Sequence, residues 1–213
     1  DRGWADHPAL GGWAMGASVP PEPPRAGHVD LSMTRRVLEG LASAGVGPQH
    51  RAFVEARAFV ERCQAPDGGF VYSPVELALN KGGCVDGRCA GYGSATTDGL
   101  LAALALGARP GEPLIDRNLA WLHRAHRLDA NPGIGPGPLQ GFARAMVGCY
   151  RAGASAAFAA LGGPAGWREA MIDAVIADQR PDGRWQNEEF LQKEDDVLIA
   201  GGFAVAALAS SLG

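Results

Sequence analysis

"DQRPDGRWQNEEF", Asp178 to Phe190, follows a helix-like run and sets a glutamine, a Pro-Asp-Gly turn and a tryptophan at fixed spacing. The same order stands earlier in "CQAPDGGF", Cys63 to Phe70, so Gln64, Asp67, Gly68 and Phe70 match Gln179, Asp182, Gly183 and Trp185. Between the two, "HRLDANPGIG" keeps an acidic turn but has neither the glutamine nor the aromatic. Each residue type has a physical use in a joint. Asp-Gly makes a tight turn, an aromatic ring covers about 150 to 250 Å² of apolar surface, and a glutamine at a helix end can bridge to exposed amides or carbonyls of a neighbouring helix end. The pattern predicts a structural staple between helical hairpins, not a catalytic loop.

Outward from these turns, Gly and Pro concentrate at residues 1–28, 65–93, 131–138 and 181–187. The segments between them carry apolar residues at three and four spacing, which predicts seven main helices and almost no strand. Their expected positions are 30–46, 49–63, 94–107, 112–127, 138–152, 165–179 and 197–211. Asp30 or Ser32 and Ser94 supply start signals, Pro48 and Pro113 suit first-turn positions, and Gly45, Gly107 and Gly153 read as stops. Four of the helices overlay on one another: Thr34 with "RRVLEGL", Thr97 with "DGLLAAL", Gln140 with "GFARAMV" and Gly201 with "GFAVAAL". They read as one structural role played four times. The other three, "HRAFVEARAFVERCQ", "LIDRNLAWLHRAHRL" and "GWREAMIDAVIADQ", carry more charge, as outer helices would.

Composition narrows the function classes. With 213 residues, 46% of them hydrophobic, the chain has material for one sizeable core. A net charge of -4 with no block of like charges gives a nucleic-acid or anionic-membrane partner no electrostatic support. No run of 18 apolar residues occurs, so no transmembrane span is expected. A start at Asp1 without Met or a basic, apolar leader fits a processed secreted or periplasmic protein, or a fragment; a cytoplasmic location is the alternative.

A hairpin ending in the Gln, Asp-Gly, Trp pattern and followed by a small-residue inner helix resembles the prenyltransferase and squalene cyclase repeat. The copy "DGRWQN" carries the likeness, and "PDGGFVYSP" with "GYGSATTDGLLAAL" looks like bacterial members without an assigned reaction. The resemblance implies an all-α fold, a partial α/α toroid of helical hairpins with long Gly/Pro-rich loops, over residues 30–213. Residues 1–29, with "WADHPALGGWAMG", then resemble the loop of a preceding repeat. A complete toroid of this kind has six hairpins, so seven helices imply that another protein chain or a missing N-terminal segment completes the ring.

The superfamily's chemistry is not matched. Its triterpene cyclases protonate substrate with a DxDD motif running into Thr-Ala; "KEDDVLIAGG" has Glu194, Asp195 and Asp196 at a helix entrance but lacks the first Asp and the Thr-Ala. Acids favoured by the helix dipole account for these three. Its protein prenyltransferases hold zinc through an Asp, a Cys two residues on and a later His. Here Asp86 and Cys89 are three apart in a loop, and "VLIAGGFAVAAL" has no His. "GGCVDG" is not the thioester motif of the complement type. No metal and no cofactor are expected.

Cys84 and Cys89, five apart in a Gly-rich stretch, could close a disulfide loop, stay as free thiols or hold a metal. His123 and His126 share a charged outer helix with Arg124 and Arg127 and read as a solvated basic helix end. "GIGPGP" lacks a phosphate-loop Lys and reads as loop. In a toroid, inner-helix ends rim the cavity mouth, so His28, Asp30, Tyr92, Asp98, Asn131 and Asp196 are the candidates for a ligand site. The expected function is a non-catalytic module that binds a partner protein or an apolar ligand, as an accessory subunit of a larger assembly. The alternative is an enzyme acting on an isoprenoid, or on another substrate such as a saccharide, with acids at the cavity mouth. An enzyme predicts convergent carboxylates in a deep cavity, one of them shielded; a binding module predicts a large uncovered apolar patch.

Overall fold

The computed structural model describes residues 5–15 and 29–213, and it is all-α. Eight helices stand among the described residues: α1 Leu31–Ser43, α2 Arg51–Arg62, α3 Gly93–Ala105, α4 Pro113–Ala125, α5 Phe142–Ala145, α6 Val147–Leu161, α7 Trp167–Ala177 and α8 Val197–Leu212. Two short antiparallel hairpins accompany them, β1 Trp13–Ala14 with β2 Val29–Asp30, and β3 Cys84–Val85 with β4 Arg88–Cys89. Six of the seven expected helices lie within three residues of their expected bounds.

The exception is the helix expected at 138–152. A single turn, α5, stands there, and the long helix α6 starts at Val147 and runs to Leu161. Gly153, read as its stop, is instead buried in mid-helix. A Cβ at that position would meet the Thr97 Oγ1 at 2.3 Å, so glycine there lets α6 and α3 approach closely. Gly45 and Gly107 do sit at positive φ just past α1 and α3, as helix stops should.

The helices form two layers. α1 packs on α3, α3 on α6 and α6 on α8, while α2 lies against α1 and α3, α4 against α3, and α7 against α8 and α6. The four members of the first layer run parallel, because their first turns touch. Ser32 in α1 donates to Asp98 in α3, the residues of Ser94 and Cys149 interact at the starts of α3 and α6, and Glu194, just ahead of α8, reaches the first turn of α6. Each second-layer helix returns antiparallel; Arg168 at the start of α7, for example, donates to the carbonyls of Ser210 and Ser211 at the end of α8.

The two matched turns are one structure. The amides of Ala65 and Arg180 donate to the carbonyls of Gly69 and Arg184 at 2.8 and 2.9 Å. The Oδ1 atoms of Asp67 and Asp182 accept from the amides of Gly69 and Arg184 at 3.0 and 3.1 Å. Gly68 and Gly183 take φ values of 98° and 83°, where a side chain would be strained. The glutamine differs from expectation: Gln179 Nε2 donates to Gly183 O inside its own turn instead of bridging to a neighbouring helix. Phe70 is fully buried and packs on Gly99, whose missing side chain makes the space. Trp185 is only partly buried, and its indole N–H donates to Val175 O at 2.7 Å.

The long loops then do a job that sequence reading did not foresee. Three of the four first-layer helices, α1, α3 and α6, are capped by the loop of the hairpin that follows them. Leu31 N, opening α1, donates to Tyr72 O at 2.8 Å, and Gly93 N, opening α3, donates to Pro132 O at 2.7 Å. The amides of Gly148 and Cys149, opening α6, donate to the Glu194 carboxylate, both at 2.8 Å. Helix N-termini leave four amides without partners inside the helix, and these loops satisfy one or two of them at each of the three helices.

Candidate functional site

Two polar regions stand at the N-terminal ends of the first-layer helices. The first gathers three of the expected residues, Asp30, Tyr92 and Asp98, with Ser32, Arg35 and Tyr72. Asp30 caps α1 by accepting from Met33 N at 2.8 Å, and its charge, after burial, is a cause of the raised Tyr72 pKa. Asp98 accepts from Ser32 and, at 2.8 Å, from Arg35, which also pairs with Glu39. Burial, then the Asp98 charge, pushes the Tyr92 hydroxyl well above its ordinary range. Asn131 lies at the edge of this cluster and caps α3 in trans: its Oδ1 accepts from Ser94 N and its amide donates to Ser94 Oγ, both at 2.9 Å. Asp196 stays apart, exposed, and caps α8 by accepting from Leu198 N at 2.8 Å. His28 lies outside the described residues.

The second region is a cleft of about 500 Å³ between α6, α7 and α8, under the loop that carries Trp185. Val147, Val175, Phe203 and Ala204 give it apolar walls, while Arg144, Arg151, Asp178 and Glu194 supply charge. Arg151, almost fully buried, donates to Asp178 at 2.6 Å and to Leu128 O at 2.7 Å. Glu194 is 2% exposed. Its burial raises the carboxyl pKa, and the Cys149 and Gly148 amides and the Asn187 side chain oppose that shift only in part. The Cys149 thiol beside it is pushed well up by burial and then by the Glu194 charge.

Sequence reading placed Glu194 at the entrance of α8; it acts on α6 instead. Arg151 was missed altogether, although an arginine inside the otherwise uncharged "CYRAGASAAFAAL" was the available signal. His126 also departs from a solvated helix end. It is half-buried, with Nδ1 2.7 Å from the Tyr150 hydroxyl and its ring edge against Phe158. His123 is exposed and its Nε2 lies 3.0 Å from Gly162 O.

Cys84 and Cys89 are joined as a disulfide across the β3–β4 hairpin. Asp86 and Gly87 turn that hairpin with positive φ at both positions, the conformation that Asp-Gly two-residue turns favour. Among the described residues, no group of three or more His, Cys, Asp or Glu side chains is arranged to hold a metal ion. No described helix is long and apolar enough to cross a membrane.

Five carboxylates at these helix ends have clear structural partners: Asp30 and Asp196 cap the helices they precede, Glu194 caps a neighbouring helix, and Asp98 and Asp178 pair with buried arginines. An uncovered apolar surface lies elsewhere, on α8. Leu198 is 83% exposed, Val205 60% and Leu212 74%, and the helix carries no charged residue over its whole length. No family model matches the chain, and no curated protein matches it.

Proposed function

We propose that this chain is a non-catalytic module of α/α toroid type, related to the prenyltransferase and squalene cyclase repeat, and that it docks a partner protein along α8. The likeness to that repeat rests on parallel first-layer helices with antiparallel returns, and on two Asp-Gly turns that share their backbone and Asp side-chain hydrogen bonds. The observation that carries the docking is the face of α8. α3 and α6 each have a first-layer neighbour on both sides, and α1 has α3 on one side and β1 and β2 also packed on it, whereas among the described residues α8 packs on α6 as its one first-layer neighbour. Its open side is apolar, and burying such surface against another protein is worth roughly 25 cal/mol per Å² removed from water.

The test is a photo-reactive amino acid placed at Val205 of the protein in its own cells, with a control at exposed Glu169 on α7. A discrete protein adduct at position 205 and none at 169 is the expected result. No adduct at 205 would overturn the reading.

One observation favours a second reading, an enzyme. The shielded Glu194 carboxyl lines a cleft of about 500 Å³, and a raised carboxyl in a cavity is the form a general acid takes. Turnover of an isoprenoid or saccharide by wild type, abolished in a still-folded Glu194→Gln variant, would favour it over the binding module.

A further inference from the structure

Three turns of this chain share a pattern, and two of them are covered by a helix. "LGGW", Leu10–Trp13, matches "DGGF", Asp67–Phe70, residue by residue. Gly11 and Gly68 take φ values of 86° and 98°. The amides of Trp13 and Phe70 each donate at 3.0 Å to a threonine hydroxyl in the first-layer helix that follows, Thr34 in α1 and Thr96 in α3. "DGRW", Asp182–Trp185, is the third copy, with Gly183 at a φ of 83°.

The covering helices sit in the same register. On the first turn, α2 sets its Glu55 carbonyl against Gly11, its Phe59 ring against Gly12, where a Cβ would meet it at 2.6 Å, and its Arg62 guanidinium on the carbonyls of Pro8 and Leu10. On the second, α4 sets its Arg117 carbonyl against Gly68, its Trp121 ring against Gly69, where a Cβ would meet it at 3.0 Å, and its Arg124 guanidinium on the Asp67 carbonyl at 3.4 Å. Both helices thus present an aromatic residue and, three residues on, an arginine. The third turn has no such cover among the described residues. Pro181 to Arg184 are exposed, whereas Gly68, Gly69 and Phe70 are buried. A Cβ on Gly183 would meet only Gln179 of the same turn, at 4.0 Å, and no described donor reaches the carbonyls of Pro181 and Asp182.

We infer that Pro181–Trp185 is a docking site for a helix of a partner protein that presents an aromatic residue and, three residues on, an arginine. The two covered copies set the chemistry of the occupant. Residues three apart share one face of a helix, so a single helix supplies both groups, and a guanidinium offers several donors to the open carbonyls. Arg184 stands where Gly12 and Gly69 stand, with its side chain held on Asp182. An incoming aromatic ring there meets a guanidinium instead of a glycine, which is a favourable cation–π contact. The inference goes beyond the docking along α8, since it concerns a different surface.

The test uses the whole chain, isotope-labelled for NMR, and a peptide of α4, Pro113–Arg127, held helical by a lactam bridge. The amides of Asp182, Gly183 and Arg184 are expected to shift to saturation as the peptide is added. Peptides carrying Trp121→Ala or Arg124→Ala are expected to bind roughly tenfold more weakly. No shift at this turn, or equal binding by the substituted peptides, would overturn the site. The partner is tested with a photo-reactive amino acid at exposed Arg180 in the protein's own cells. An adduct with another protein, joined at a segment that holds an aromatic residue three before an arginine, supports the inference. A joined segment without that pair, an adduct with a second copy, or no adduct overturns it. An adduct at Val205 with none at Arg180 refutes the turn and leaves the docking along α8 standing, and the reverse refutes α8 and leaves the turn standing.

Discussion

His126 carries its ring between Tyr150 and Phe158, and burial, followed by the nearby His123, lowers its pKa below the ordinary histidine value. A lone pair on Nδ1 to receive the Tyr150 hydroxyl exists only on the neutral ring. A base with a depressed folded pKa binds its proton less tightly folded than unfolded. Its stabilisation is therefore present above the unfolded value of about 6.5 and is lost as pH falls through the folded one. Urea midpoints measured from about pH 8 down to 5 should fall in wild type and fall less in His126→Gln; equal slopes would refute this account. Glu194 gives a second residue-scale expectation. Gln keeps its shape but turns an N–H towards one of the amides of Gly148 and Cys149, so Glu194→Gln should cost about 1 to 3 kcal/mol in urea unfolding. At this scale the sequence was partly legible. Asp30 and Asp196 cap the helices they precede, as their positions suggested. Glu194 and Asn131 cap helices whose first turns lie about 40 residues away in sequence, and no local pattern reveals such a partner.

Glycines separate the elements into two kinds. Gly153 lets α6 touch α3, so Gly153→Ala should destabilise by roughly 1 to 3 kcal/mol through overpacking, although alanine favours helix. Gly202→Ala meets open space and should stabilise the monomer by up to about 1 kcal/mol, since only the propensity term remains. Thermal unfolding of both variants at low protein concentration checks the opposite signs. The aromatic staples differ in the same way. Phe70→Ala should cost about 3 to 5 kcal/mol as a fully buried ring, and Trp185→Ala less, because Trp185 borders an open cleft. A larger loss at Trp185 would mean that the cleft closes in solution. The helix placed wrongly from sequence belongs to this scale too. "GFARAMV" has the spacing of an inner helix, and a glycine that permits close packing has the same letter as one that stops a helix. Only the Thr97 contact decides between them.

The order of the layers sets the stability of the whole. α3 has neighbours in α1, α4 and α6 and buries residues on every turn, whereas α8 rests on α6 and α7 and buries only Ala200, Ala204, Ala207 and Ser211. In a stacked array each unit depends on its neighbours, so the unit with an open side opens at lower free energy than the one enclosed on all sides. Native-state hydrogen exchange should therefore show α3 amides exchanging only with global unfolding and α8 amides through a smaller opening. Equal protection of the two helices would show that the row does not weaken towards its uncovered side, and the face of α8 would then need no neighbour to hold it in place.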